Sequence, residues 1–387
     1  MRMGTGERAA LDTTWPRVGK PTTTSCRPVL VGTCPTRCIG RFTISLRGRL
    51  PPHQVNGEAG YPLQYSDWRA YFEQMAHPQA GIDYPGTWSQ FLEWFADEAS
   101  CIAFLERLRW PNGFVCPKCD SPKGWRIADG RWSCQGCARK VSVTANTIFD
   151  TTRTPLRIWF AAAWYLTNQK YGASALGLQR VLGFGSYQTA WAMLHKLRSA
   201  MVRPERSRLA GRVEVDETLV GGVDRGRKRG RGAGRKSLVA IAVEVLSPNG
   251  FGRIRMQIIP DASGASLMPF ACQTIEPGSE VMTDGWWGYR DLPLNGYTRS
   301  ITILSESPDP AHVSMPAVHR VASLLKRWLM GTHQGSARPI HLQAYLEEFT
   351  FRFNRRSSRQ RGLLFFRLLE QAVLTPPTPY HTIVRQK

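Results

Sequence analysis

Asp216 and Asp284 each close a strand-like run, Arg212–Asp216 and Val281–Asp284, and Gly285 turns the chain directly after the second. Carboxylates held at strand ends beside tight turns can share divalent cations, and two such cations about 3.5–4 Å apart need carboxylates that bridge them. The chemistry this permits is activation of a water or hydroxyl on one side of a phosphorus and stabilisation of the leaving oxygen on the other. Strand-end aspartates also cap turns, so neither residue carries the reading alone. A third element is the helix-like run Val318–Trp328. It puts His319, Ser323 and Lys326 on one face and Val321, Leu325 and Trp328 on another, the second suited to a core. His319 and Lys326 are separated by about 10 Å along the axis at 1.5 Å per residue. Both can therefore face one cleft, with Lys326 as a phosphate-binding ammonium.

A second constellation is made of sulfur. Cys116-Pro117-Lys118-Cys119 and Cys134-Gln135-Gly136-Cys137 are two C-x2-C knuckles, and Trp125 and Trp132 between them suit the strands of a ribbon. Two knuckles aim four thiolates at one centre, which fits tetrahedral Zn2+; a closed four-thiolate site is structural rather than catalytic. The remaining cysteines, Cys26, Cys34, Cys38, Cys101 and Cys272, have no such order. In a reducing compartment the paired set reads as metal ligands, not disulfides.

The chain of 387 residues carries a formal net charge of +22 and is 42% hydrophobic, enough for a core in two or three domains. Such a positive field selects polyanionic partners, double-stranded DNA before any membrane. No apolar run long enough to span a bilayer is present, and the N-terminus lacks a signal-peptide pattern. The chain is therefore expected to be cytoplasmic.

The elements that must position these groups can be read in order. Residues 1–74, rich in Thr, Pro, Gly and Arg, read as a disordered segment or an over-extended gene start, with Met75 the true initiator. Residues 75–110 read as an N-terminal helical segment, with Thr87 as a cap, and 111–150 as the zinc ribbon. Residues 151–205 are helical, broken at Gly172 and near Gly183–Gly185. From 206 to 375 strands and helices alternate, as in an α/β (α+β) catalytic domain. Its strands fall at Arg212–Asp216, Lys236–Leu246, Gly252–Ile259 and Glu280–Asp284. Its helices fall at Ser266–Gln273, 316–330, 339–355 and, more weakly, 362–374. Residues 376–387 read as a tail.

Within the helical region, Ala173–Gly183 and Ser186–Arg198 form a candidate helix-turn-helix, with Ser186 as N-cap. Tyr187, Gln188 and Thr189 then occupy the first turn, where base edges are read. Between the first two strands of the last domain lies Arg225–Lys236. Its Arg227, Lys228, Arg229, Arg231, Arg235 and Lys236 should add salt-sensitive, sequence-independent affinity for DNA. Trp286-Trp287 suits base stacking or core packing.

Taken together, these segments resemble the transposases of small bacterial insertion sequences of the ISXO type. The likeness rests on Phe114–Cys119 with Cys134–Cys137, Val215–Thr218 with Gly221-Gly222, Thr283–Trp286, Ser323–Trp328 with Gly331-Thr332, and His341–Phe349 running into Phe351–Arg356. It spans about residues 75–375. The resemblance implies an RNase-H-like catalytic domain of the DDE class behind a zinc ribbon and a helical DNA-binding region. It implies Asp216 and Asp284 as ligands of Mg2+ or Mn2+, and Lys326 as the phosphate-binding lysine. The third ligand in such enzymes is Glu or Asn at the position His319 fills here. Imidazole coordinates metals but suits Mg2+ less well than carboxylate does. Either His319 is a variant ligand, or Glu347 or Glu348 supplies the third carboxylate, with Glu348–Arg352 as a competing i,i+4 pair. The implied activity is cleavage at element ends and strand transfer into target DNA by a homo-oligomer. A DNA-binding regulator or decayed copy, and a purely hydrolytic nuclease, are the alternatives.

Overall fold

A computed structural model of the chain describes residues 78–203, 206–221, 236–246, 250–302, 311–335 and 337–385. The segment 1–74, with Cys26, Cys34 and Cys38, lies outside the described residues, as do Arg227, Lys228, Arg229, Arg231 and Arg235 of the basic loop.

Two short helices open the described chain, α1 (Trp88–Trp94) and α2 (Glu98–Arg109). Each starts where a polar side chain accepts an otherwise unpaired N–H: Thr87 from Gln90, and Asp97 from Ser100 at 2.7 Å. A three-stranded antiparallel ribbon follows, β1 (Gly124–Arg126), β2 (Trp132–Cys134) and β3 (Lys140–Val141). Then come α3 (Leu156–Asn168), α4 (Ala175–Leu182) and α5 (Tyr187–Ser199). Gly183 ends α4 in the left-handed region at φ 68°, and Ser186 caps α5. The local helix-turn-helix is thus present. Its second helix, however, is buried along most of its length, and only Tyr187, Gln188 and Thr189 form an exposed turn.

The second half is a five-stranded sheet of β4 (Arg212–Val220), β5 (Ser237–Val245), β6 (Phe251–Ile259), β7 (Glu280–Asp284) and β8 (Thr298–Thr302), in the order β6-β5-β4-β7-β8. The first three strands form an antiparallel meander; β7 and β8 run parallel to β4. Helix α6 (Gly264–Thr274) makes the crossover from β6 to β7. After β8 come α7 (Pro316–His333) and α8 (Pro339–Phe353). This mixed sheet, with a meander first and parallel strands added to its first member, is RNase-H-like. Side-chain alternation assigns the faces. Val213, Val215, Ala240, Ala242 and Val281 pack with Leu267 and Phe270 of α6. Val239, Ile241, Val243, Ile254 and Met256 pack under Val318, Val321 and Leu325 of α7 and Leu342 and Leu346 of α8.

Two stretches differ from the sequence reading. Helix α9 (Arg361–Ala372), assigned above to the catalytic domain, packs instead in the N-terminal helical core. Its Phe365 meets Phe95, Phe104, Phe160 and Trp164, with ring centroids 5.4–6.3 Å apart. A helix bearing Leu364, Phe365, Phe366, Leu368 and Leu369 is apolar nearly all round, so it needs a pocket between other helices rather than one face of a sheet. The tail 376–387 forms the short helix α10 (Tyr380–Arg385), whose Ile383 is buried and whose Tyr380 ring meets Trp191 of α5.

Candidate active site and zinc centre

In the ribbon, each knuckle is closed the same way. Asp120 donates its N–H to the Cys116 carbonyl and Ala138 to the Cys134 carbonyl, both at 2.9 Å, and both residues take φ 54°. These left-handed turns bring all four sulfurs within 4.8 Å of one another. The Sγ atoms of Cys116 and Cys137 are 3.7 Å apart and those of Cys119 and Cys134 3.5 Å. Tetrahedral Zn2+ with Zn–S bonds near 2.3 Å sets the sulfurs roughly 3.8 Å apart, so the donor set fits structural zinc. Phe114 stacks on Trp132 at 5.0 Å, and the Trp132 indole N–H donates to Glu106 of α2 at 3.0 Å, tying the ribbon to the helices.

The acidic pair is built by strand register. The parallel ladder pairs Arg212 with Glu280, Val213 with Val281 and Glu214 with Met282, and then stops. Asp216 and Asp284 both lie two residues beyond the last pair. They therefore stand level on adjacent strands, on one face, where the strands part. Asp216 sits in mid-strand, because β4 runs on to Val220 instead of closing at Asp216 as its sequence suggested, and it accepts the adjacent Glu217 N–H at 2.8 Å. Asp284 does end β7 and accepts the Trp286 N–H of the following turn at 3.1 Å. Arg299 of β8 braces that turn through the Thr283 hydroxyl at 3.2 Å and the carbonyls of Asp284 and Trp286.

Two further residues belong to the site. Tyr289, buried on the turn after Asp284, has its hydroxyl held far above the usual phenol pKa, first by burial and then by the carboxylates of Glu217, Asp216 and Asp284. Glu214, also buried, accepts the Val318 N–H at 2.9 Å. Helix α7 starts on Pro316 with no capping side chain of its own, and Glu214 does that work from the strand. Burial raises the Glu214 pKa, while the N–H groups of Val318 and Ala317 and the nearby His319 pull it down. The same device recurs in α3, which starts at Pro155 without its own cap and takes Glu98 from α2, on the Leu156 N–H at 2.8 Å.

Docked this way, α7 lies over β4 and β5. Val321, Leu325 and Trp328 face the core; His319 is half-buried, and Ser323 and Lys326 are on the outer side. The Lys326 ammonium pKa is lowered by burial and by Lys236, while Asp216 pulls it up. Lys236, just before β5, and Asp216 are thus both near enough to act on Lys326. The structure does not draw Asp216, Asp284 and His319 into a tight cluster. Among the described residues only the four cysteines form a group of three or more such ligand atoms within 4.8 Å.

The other two acidic candidates are engaged elsewhere. Glu348 forms a buried ion pair with Arg198 of α5 at 2.7 Å, with the side chains 0% and 2% exposed. Arg352, the expected i,i+4 partner, instead donates to the carbonyls of Leu166, Gln169 and Lys170 at the end of α3. The helical core against which α8 packs offers Glu348 a guanidinium and Arg352 three carbonyls, which sequence spacing along one helix does not reveal. Glu347 accepts from Gln343 at 3.3 Å, and Gln343 accepts the Ile258 N–H of β6 at 3.1 Å, at the edge of the sheet two strands from β4. Gln188 is exposed on the first turn of α5, with its amide oxygen accepting from the Ser186 hydroxyl at 2.6 Å. No described helix is long and apolar enough to cross a membrane.

A four-thiolate ribbon thus stands ahead of an RNase-H-like sheet that sets two aspartates level. Comparison with known proteins agrees. The family model of the ISXO2-like transposase domain matches residues 208–354, and that of the transposase zinc-ribbon domain matches residues 96–140. A relative from Halobacterium salinarum, described as an uncharacterized protein in transposable element ISH50, is 27% identical over 276 residues, covering 67% of this chain and 91% of the relative. The chain thus carries an ISXO2-like transposase domain behind a transposase zinc-ribbon domain.

Proposed function

We propose that this transposase cuts DNA at the ends of its element and joins the freed ends to target DNA, using Asp216, Asp284 and His319 to hold Mg2+ or Mn2+ and Lys326 to hold a phosphate. The observation that carries the reading is the level placement of Asp216 and Asp284 on parallel strands beneath the helix bearing His319 and Lys326. Two like-charged carboxylates set level on adjacent strands favour a cation between them. When bound, divalent metal supplies activation of the attacking oxygen and stabilisation of the leaving one.

The protein's own part is positioning and charge. Lys326, with Lys236 beside it, holds the scissile phosphate against the acidic pair. Backbone N–H bonds hold both carboxylates, Asp216 within β4 and Asp284 at the end of β7, so little reorganisation is needed in the transition state. In the first step a water oxygen attacks phosphorus and the P–O3′ bond breaks, leaving a 3′-hydroxyl and a 5′-phosphate. In the second step that 3′-oxygen attacks a target phosphorus, a target P–O3′ bond breaks, and the displaced oxygen takes up a proton. No bond to the protein forms in either step.

His319 is the third ligand in this reading; the Glu214 bond to the neighbouring Val318 N–H, which anchors the start of α7, supports it. A softer imidazole in place of carboxylate favours Mn2+ over Mg2+. Two ends must be brought together, so the working form is a homo-oligomer on double-stranded DNA. The exposed first turn of α5, with Gln188, and the loop ending at Lys236 contribute contacts to that DNA. Strand transfer of labelled end DNA with Mg2+ or Mn2+ tests the proposal. Hydrolysis without joining would identify a nuclease instead, and inertness toward DNA a decayed copy or a binding regulator.

A further inference from the structure

The basic loop at 225–236 is not the only concentration of positive charge. From Phe349 to Leu369 the chain carries Arg352, Arg355, Arg356, Arg359, Arg361 and Arg367 and no Asp or Glu. Two of the six are spent inside the fold. Arg352 serves the end of α3, and Arg356 donates to the carbonyls of Phe251, Gly252 and Phe353. Two others, Arg355 and Arg367, converge with Arg203 from the connector after α5 on a cavity of about 360 Å³ between α8 and α9. Asn354, Ser357 and Ser358 supply the rest of its polar lining.

The arginines are held apart from one another and aimed by packing. Arg355 lies over the Phe351 ring at 4.0 Å and donates to the Phe351 carbonyl at 3.2 Å. Arg367 is paired with the buried Glu370 at 2.8 Å. Asn354 is clamped to both backbone groups of Ile254 on β6, at 2.7 and 3.2 Å, so the floor of the cavity is fixed to the sheet edge. Among the described residues one carboxylate, Glu370, acts on Arg355; burial, Arg203 and Arg367 together bring the Arg355 guanidinium down to about 10. Three guanidiniums face one cavity with Glu370 among them, an arrangement suited to a multivalent oxyanion.

We infer that Arg203, Arg355 and Arg367, with the Ser357 and Ser358 hydroxyls, form a second phosphate site that grips the backbone of bound DNA away from the catalytic pair. The inference rests on the reading of this chain as a DNA transposase. The site is at the β6 edge, two strands or roughly 10 Å from β4. A duplex engaging both places is therefore held at two separated points, which fixes its direction across the protein without reading its sequence.

The test is duplex binding by the full chain across a salt series, read by fluorescence anisotropy. Arg203→Gln removes one rim charge, and Ser357→Glu puts a carboxylate in the cavity mouth; neither touches the Arg367–Glu370 pair. Both variants should bind more weakly and lose roughly 0.9 from the slope of log K against log salt, the signature of one phosphate contact. Arg203→Lys and Ser357→Gln should stay near wild type. In a second arm, inorganic phosphate is titrated at constant ionic strength. It should compete with DNA on wild type and not on Arg203→Gln. Unchanged slopes in Arg203→Gln and Ser357→Glu, in a wild type that does bind duplex, overturn this site alone. Protection of the protein by inorganic phosphate with unchanged DNA slopes assigns the cavity to a free anion and overturns it too. A wild type that binds no duplex overturns both this site and the proposed function.

Discussion

Replacing Glu214 with alanine should damage the active site without touching either catalytic aspartate. The Glu214 carboxylate is 2% exposed and accepts the Val318 N–H at 2.9 Å at the start of α7. Its removal leaves buried helix-terminal N–H groups with no acceptor, a loss of about 1–3 kcal/mol for each group so stranded. Part of that is offset, because a carboxyl whose pKa is raised by burial is itself costly to bury ionised. The net expectation is about 1–2 kcal/mol, within the range for loss of a helix cap. Urea unfolding at neutral pH measures it. Joining should fall further than stability alone explains, since Val318 precedes His319 and the same helix carries Lys326. Glu214→Gln keeps an acceptor oxygen and should cost less than about 1 kcal/mol. Its pH behaviour adds a signature. The folded carboxyl holds its proton above the ordinary value of 4.5, so wild-type stability falls as pH rises from 4.5 through the folded pKa. Glu214→Gln has no such term, so its stability relative to wild type should improve over that window. An alanine variant as stable and as active as wild type would refute the capping argument.

Three further outcomes follow from the same geometry. Removing zinc with a chelator, or replacing Cys119 with Ser, should unfold the ribbon and abolish one equivalent of bound zinc per chain by elemental analysis, because structural zinc contributes folding energy directly. Glu348→Ala strands Arg198 in the interior and should cost about 3–5 kcal/mol by urea unfolding. His319→Glu should move the metal preference of joining from Mn2+ toward Mg2+, read as the ratio of rates with the two ions; an unchanged ratio would remove His319 from the ligand set.

What the sequence made legible was local. The knuckle spacing defined the ribbon, and the stripe Val321, Leu325, Trp328 gave a helix with the face later observed. The alternation of Arg212–Asp216 gave a strand but not its end, since β4 runs on to Val220. Strand β8 was missed, since Thr298–Thr302 is short and half-exposed, with no apolar alternation to announce it. The decisive juxtaposition was also out of reach. Asp216 and Asp284 meet through a parallel pairing of strands separated by a hairpin, a third strand and a crossover helix, and no local pattern sets that register. Glu214 gave no signal beyond an acidic residue within a strand-like run; its partner is on a helix more than a hundred residues away. Tyr289 and Arg299 gave no signal beyond ordinary types in a loop and an edge strand. For Glu348 the spacing pointed to Arg352, and tertiary packing chose Arg198.

The most direct test of the account is strand transfer of labelled end DNA in Mn2+ by the wild-type chain and by Asp216→Asn and Asp284→Asn, with duplex binding measured alongside. Asparagine keeps an oxygen to accept each backbone N–H and removes the charge a metal needs. The expected result is joining by the wild type, joining at background in both variants, and duplex binding preserved in all three. Joining at the wild-type rate by either variant would contradict the assignment of the acidic pair as the catalytic centre.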